Sequence, residues 1–358
     1  MRRPSPPSSR FRGLRFALLL LALLGLAAVE GPPLPSARGG SPAPSGARGG
    51  APPHGSPRAP PQPRLLVCIA THYTPGKSTT VHLARILREL RERYAAHYRV
   101  TVAVDTNSAE LAAALPALSG GPPLALTARV WSAAELGNPL HLPYVHRHLV
   151  QQVLDEHDYF LFTEDDVLLP LESFQLYARR QRELWALGWM FGWVRAEVWG
   201  GDNATAISID NVDPVADPPV YRAPSSGALY AEPWSPYAAF YALDAEQARA
   251  MVADPSGVWA NGFPPFLPRE KMSVGYFYAR TGRSGDAPWG ATGWRARALV
   301  PLDAAGRVDK DAIAWHLPRK YAQGTKLWFH DLGSVPVEAL FNFSGPLAPV
   351  PLPAFPPP

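Results

Sequence analysis

Cysteine is all but missing from this chain: Cys68 is the single one in 358 residues. No disulfide can form within it, so a folded domain must be held together by core burial, which a chain of this length can supply. Charged residues are sparse at 18%, and the net charge of +4 comes partly from arginines in the N-terminal tail. With no basic stripe interleaved with aromatics, a nucleic-acid partner is not expected. Internal repeats are absent, and so is a complete phosphate-binding loop. Thr74-Pro75-Gly76-Lys77-Ser78-Thr79 follows an apolar stretch, but the first glycine of that pattern falls at Thr71, where a side chain hinders the tight backbone cradle.

What stands at the N-terminus is a secretory address. Arg2, Arg3, Arg10, Arg12 and Arg15 precede an apolar run from Phe16 to Val29, and Glu30-Gly31-Pro32-Pro33 ends it. The run is shorter than the about 20 residues of an ordinary bilayer span. Two readings follow: a cleaved signal peptide with Ala27-Ala28 in its cleavage region, or a short anchor in a thin early-secretory membrane, with arginines that snorkel. Positive charge on the N-terminal side predicts a cytosolic N-terminus and a lumenal bulk. The expectation is a single-pass type II protein of the Golgi or ER membrane, or a protein secreted after signal cleavage. Prolines, 42 in all, concentrate near the two ends. The expected organisation is a cytosolic tail (1–15), a signal anchor or signal peptide (16–29), a disordered Pro/Gly-rich stem (30–63), a folded domain (64–345) and a disordered proline-rich tail (346–358). Asn203-Ala204-Thr205 and Asn342-Phe343-Ser344 fit the glycosylation acceptor pattern.

Within the folded part, Arg64 to Thr71 reads as a buried strand, followed by an amphipathic helix over about 79–94 with Val81, Leu83, Ile86, Leu87 and Leu90 on its apolar face. A second strand, Tyr98 to Asp105, and a weaker third over 124–130 continue the alternation. Further helices are expected over about 143–156, 171–187 and 245–253, and further strands over 189–198 and 237–243. This order predicts an α/β fold with a mostly parallel central sheet flanked by helices.

The most telling segment is Asp158 to Pro170, where the apolar run Tyr159-Phe160-Leu161-Phe162 leads into Glu164-Asp165-Asp166. Continuous hydrophobicity marks a strand covered on both faces, and open α/β sheets place ligands at the carboxyl ends of their strands. Adjacent carboxylates repel unless a cation neutralises them, and oxygen ligands suit Mn²⁺ or Mg²⁺. The bland reading is a solvated acidic turn.

Other candidates are weighed against structural roles. Asp105 ends the second strand, where a carboxylate accepts from ribose hydroxyls or a base edge, or merely steadies the turn Thr106-Asn107-Ser108. Arg147, beside His146 and His148 at a helix start, is placed to clamp a phosphate or simply to lie on an amphipathic helix. His316, in Ala314-Trp315-His316-Leu317, offers a ring nitrogen to the ion held by Asp166, or is a satisfied core histidine. Glu270, between Arg269 and Lys271, suits a general base that deprotonates an acceptor hydroxyl, or half of an ion pair; Glu197, Asp202, Asp210 and Asp213 compete for that role. Trp189, Trp193, Trp234, Trp259 and Tyr237 are candidates for sugar stacking or for core packing.

Taken together, the chain resembles a glycosyltransferase of the GT-A fold, built as a type II Golgi membrane protein. The likeness rests on the cytosolic stub, short anchor and stem, and on Glu164-Asp165-Asp166, which resembles the D-x-D signature with glutamate in the first position. It extends to a poorly characterised GT-A-like group through His146-Arg147, Trp193-Val194-Arg195-Ala196-Glu197 and Arg269-Glu270-Lys271. The resemblance implies a Rossmann-like half that binds a nucleotide sugar and a second half for the acceptor. It further implies Mn²⁺ or Mg²⁺ at Glu164, Asp166 and His316, and a nucleotide-diphosphate sugar against Thr71, Asp105, Arg147 and Asp165. Asp166 and Glu270 then serve in catalysis, and the partners are a nucleotide sugar, a glycan, glycoprotein or glycolipid acceptor, and a membrane through the anchor. Alternatives are a non-catalytic carbohydrate-binding protein of the same fold, or a lumenal phospho- or sulfotransferase using Lys77.

Overall fold

A computed structural model describes residues 61–77, 79–199, 205–211, 214–233, 235–236, 239–254, 259, 278–280, 294–318 and 335–355. The chain divides into two units, Met1–Gln62 and Pro63–Pro358, and every element below belongs to the second. Among the described residues no helix is long and apolar enough to cross a membrane; the run 16–29 lies outside them.

The central sheet has the order Phe240–Asp244, β4 (Tyr159–Glu164), β1 (Arg64–Thr71), β2 (Arg99–Thr106), β3 (Ala125–Val130). Its first four strands in sequence run parallel, and Phe240–Asp244 closes one edge antiparallel to β4. Leu65 to Ile69 and Phe160 to Phe162 are buried throughout, as expected of strands covered on both faces. After β3 the chain crosses over β2 and β1 to reach β4. The order therefore reverses between β1 and β4, and the crevice at the carboxyl ends of that pair is where open α/β sheets bind ligands.

Helix Thr79–Glu92 packs on the sheet through Leu83, Ile86, Leu87 and Leu90, but Val81 is 67% exposed. At 3.6 residues per turn it falls on the side of the helix away from those four residues. The helix expected over 143–156 is only His146–Gln152, preceded by 3-10 turns over Pro139–Tyr144. Pro139 and Pro143 lack the N–H groups that an α-helix would need there. Helix Ala109–Ser119 has no counterpart in the sequence reading; Ser108 caps it by accepting from the Leu111 N–H. Helix Ala245–Ala253 has the expected bounds, fixed by a capping box of Asp244 and Gln247.

The strand expected over 189–198 is two strands in two sheets. β6 (Met190–Phe191) pairs with Ala298–Leu302, whereas β7 (Val194–Trp199) pairs with Ile313–His316 and β8 (Thr205–Ser208). Gly192 makes the switch, its N–H donating to the Leu299 carbonyl at 2.8 Å. A Cβ there would lie 3.1 Å from the Leu299 carbonyl carbon and oxygen. Because that neighbour is backbone and cannot swing aside, Gly192→Ala is expected to cost about 1–3 kcal/mol, read as a lower urea midpoint at unchanged slope.

The second sheet has the order Val335–Pro336, β8, β7, Ile313–His316, β5 (Val167–Leu168). β5 starts directly after the acidic triplet, so that triplet bridges the central sheet and the second one. A third sheet contains β6, and the proline-rich end joins it. Val350–Pro351 pairs with Val220–Arg222, Leu352 is buried, and Phe355 meets the Trp189 ring edge-on at 4.8 Å. The tail expected to be disordered from 346 is thus docked as far as 355, because its apolar side chains find a groove.

Candidate active site

Thr71 and Asp165 meet across the crevice between β1 and β4. The Thr71 hydroxyl donates to Asp165 Oδ2 at 2.5 Å, and the Asp165 N–H donates to the Ala70 carbonyl at 3.1 Å. Glu164, the last residue of β4, lies opposite Ala70 and is half-buried, as is Asp165. The triplet is therefore pinned to the central sheet at both backbone and side chain, and is not a freely solvated turn.

Asp166 turns toward the second sheet. Its carbonyl accepts from the Leu317 N–H at 2.8 Å, and β5 then pairs antiparallel with Trp315 and His316. That pairing brings His316 Nε2 to 3.2 Å from Asp166 Oδ2. On its other side the ring meets Glu197, with Nδ1 2.5 Å from Oε1. Glu197 is wholly buried at 0% exposure, while the Asp166 side chain keeps 19%. The three side chains form a line from the interior to the crevice.

Asp105 lies one strand away, opposite Ala70 on β1. Its two oxygens are already engaged, Oδ2 by Arg129 Nη2 at 2.5 Å and Oδ1 by the Trp131 indole N–H at 2.8 Å. The turn after it is held instead by Asn107, which exchanges hydrogen bonds with the Tyr73 backbone at 2.7 and 3.2 Å. Asp105 thus steadies Arg129 and the half-buried Trp131 at the crevice rim, two residues that the sequence did not single out. Burial pushes the Asp105 carboxyl above its ordinary range, against the opposing pull of Arg129 and Trp131. The folded state then holds that proton more tightly than the unfolded chain does. The stability it contributes is present below about pH 3.9, the unperturbed value, and is lost as pH rises through the raised one. Asp105→Asn is expected to remove that decline from a plot of melting temperature against pH.

Arg147, the candidate phosphate clamp, is buried. It is 4% exposed, donates to the Trp259 carbonyl at 2.7 Å, and lies over the rings of Tyr144 and Trp259 at 4.7 and 5.5 Å. Its neighbour His146 is a core histidine. It stacks on Phe162 at 4.1 Å, donates from Nδ1 to the Pro143 carbonyl at 2.6 Å and accepts from the Tyr241 hydroxyl. Burial, then the Arg147 charge, holds its imidazole well below the usual range. The physical reason is the 3-10 segment, which turns the His-Arg pair inward.

Among the competitors for the base, Asp210 is bound bidentately by Arg195 at 2.7 and 2.9 Å, and Glu197 is committed to His316. Asp202, Asp213 and Glu270 lie outside the described residues. So do Trp234 and Tyr237. Trp189 and Trp193 are core residues, with no face open to a sugar.

A carboxylate beside an imidazole nitrogen is a donor pair that a divalent cation accepts. Among the described residues no group of three or more His, Cys, Asp or Glu side chains surrounds one point. Asp166 and His316 instead form a two-ligand corner, which suits an ion whose other positions are filled by water and phosphate oxygens. A carboxylate on the far ring nitrogen is also what metal-binding histidines commonly have.

Neither a protein-family model nor a curated sequence matches the chain. Among solved structures, the chain is similar to one described as a nucleotide-diphospho-sugar transferase from Desulfovibrio desulfuricans G20. Identity is 14% and the TM-score 0.29, over 58% of this chain and 73% of that one. It is similar to S. aureus TarS 1–349 at 12% identity and a TM-score of 0.37, over 73% of this chain and 62% of that one. Mouse xyloside xylosyltransferase 1 in its apo form shares 14% identity at a TM-score of 0.24, over 39% of this chain and 52% of that one. The chain thus spans less than two thirds of TarS 1–349 and about half of the mouse protein.

Proposed function

We propose that the protein is a metal-dependent glycosyltransferase that moves a sugar from a nucleoside-diphosphate donor to an acceptor hydroxyl in the secretory lumen. The observation that carries this reading is the approach of His316 Nε2 to Asp166 Oδ2, 3.2 Å, at the reversal point of a parallel sheet. A carboxylate and an imidazole converge there on the crevice where such sheets bind nucleotides.

Asp166 and His316 hold the ion, Mn²⁺ or Mg²⁺, with Glu164 adding negative charge beside it. When bound, that ion supplies Lewis-acid stabilisation of the departing diphosphate. Thr71 fixes the rotamer of Asp165, and Asp105 anchors Arg129 and Trp131 along the edge where the nucleoside lies. Glu270 takes the proton from the acceptor if the reaction inverts configuration. The N-terminal run supports a site on the lumenal side of the Golgi or ER membrane, or in a protein secreted after signal cleavage.

The test is a panel of UDP- and GDP-sugars incubated with purified protein and Mn²⁺, read as release of nucleoside diphosphate and its loss in EDTA. Nucleotide binding without any turnover would point to a non-catalytic carbohydrate-binding protein. Turnover indifferent to metal but abolished by Lys77→Ala would point to sulfo- or phosphotransfer.

A further inference from the structure

Glu197 has no part in the chemistry just described, yet it is the most deeply buried carboxylate near the site. It sits on β7 beside the strand Ile313–His316, whose parallel register, Ala314 opposite Arg195 and Trp315 opposite Ala196, brings His316 next to it. The imidazole therefore lies between two carboxylates, Glu197 at 2.5 Å from Nδ1 and Asp166 at 3.2 Å from Nε2. A neutral imidazole carries one N–H, which satisfies one carboxylate and turns a lone pair toward the other. The two sides are not equal. The Glu197 contact is shorter and its carboxylate has no exposure, whereas Asp166 faces the crevice. With the N–H on Nδ1 toward Glu197, the lone pair on Nε2 is turned toward Asp166, and a cation held between the two reconciles them.

We infer that Glu197 is the positioning residue that makes His316 a metal ligand through Nε2, and that this buttressed imidazole gives the site its preference for Mn²⁺ over Mg²⁺. The inference rests on the metal-dependent reading above and extends it to the choice of ion. Both ions favour oxygen ligands, but Mn²⁺ accepts an imidazole nitrogen more readily than Mg²⁺, which dehydrates reluctantly and keeps its waters. A carboxylate on the second ring nitrogen fixes the tautomer and raises the basicity of the first, and its loss commonly lowers metal affinity by 10–100-fold. Without His316 in place, the site would be a carboxylate corner indifferent between the two ions.

The test is titration of the purified full chain with Mn²⁺ and, separately, Mg²⁺, by calorimetry and by the free-Mn²⁺ resonance signal. Glu197→Gln should weaken Mn²⁺ by about 10–100-fold and Mg²⁺ by much less, so that the ratio of the two affinities collapses. His316→Gln should do the same, and Glu197→Gln combined with His316→Gln should lose no more than His316→Gln alone, since the first acts through the second. A residue needed only for packing would shift both ions equally. Should Glu197→Gln fail to fold, electron spin-echo spectra of Mn²⁺ bound to the unaltered protein still decide, because a directly bound imidazole nitrogen is expected. Mn²⁺ bound without a nitrogen signal, or an unchanged affinity ratio in folded Glu197→Gln, overturns the role of Glu197 and leaves the metal-dependent reading intact. No Mn²⁺ binding by the unaltered protein overturns both.

Discussion

Asp166→Asn is expected to fold normally and to lose about 1,000-fold in Mn²⁺-dependent release of nucleoside diphosphate, because about 4 kcal/mol of transition-state stabilisation corresponds to that factor. The substitution keeps the size of the side chain and removes one charge from a position 19% exposed. It leaves the Asp166 carbonyl free to accept from Leu317 N–H at 2.8 Å, so the pairing of β5 with Ile313–His316 survives. The loss should appear in turnover while the melting temperature stays within a few degrees. Thr71→Val makes a useful comparison. It removes only the bond that orients Asp165, worth about 1.5–3 kcal/mol for a hydrogen bond to a charged group, and should cost about 10–100-fold. A folded Asp166→Asn protein retaining a tenth of normal turnover would remove that side chain from the mechanism.

The acidic triplet was legible in the sequence because everything that places it is local. The apolar run Tyr159-Phe160-Leu161-Phe162 makes the strand, and the carboxylates follow at its end. The same holds for β1 and for helix Ala245–Ala253, whose capping box is written in four consecutive residues. The pairing of His316 with Asp166 spans 150 residues, and that of His316 with Glu197 spans 119. Sequence could offer His316 as a candidate ligand and Glu197 as a candidate base, but had no means of pairing the two. Arg147 is a different case. Its setting beside two histidines looks like an anion site, and only the prolines at 139 and 143 hinted that the chain there is not a regular helix. Apart from β7, the strands of the second and third sheets are two to five residues long and left little trace, since so short a run carries little periodicity. Glu270, proposed as the base, lies outside the described residues.

Trp193→Ala should be the most destabilising single change at the junction of the sheets, costing about 3–5 kcal/mol and lowering the melting temperature by roughly 10 °C. Trp193 is 2% exposed and packs against Tyr177, Phe191 and Phe240 at centroid separations of 5.3, 4.8 and 5.1 Å. Those partners belong to a helix, the third sheet and the central sheet, so one ring joins three layers. Trp193→Phe should behave quite differently. Among the described residues the Trp193 indole N–H has no hydrogen-bond partner, and a buried unpaired donor costs about 1–3 kcal/mol. Phenylalanine loses area but removes that penalty, so the net change should stay within about 1.5 kcal/mol. Trp189 is the control, because its indole N–H donates to the Pro353 carbonyl at 2.8 Å; Trp189→Phe gives up that bond and should cost more than Trp193→Phe. Equal melting temperatures for the two phenylalanine variants would show that the indole N–H of Trp193 is satisfied in solution. The position matters beyond stability, since Trp193 stands between β6 and β7 just where the chain leaves one sheet for another. It fixes where β7 begins, and four residues later β7 delivers Glu197 to His316.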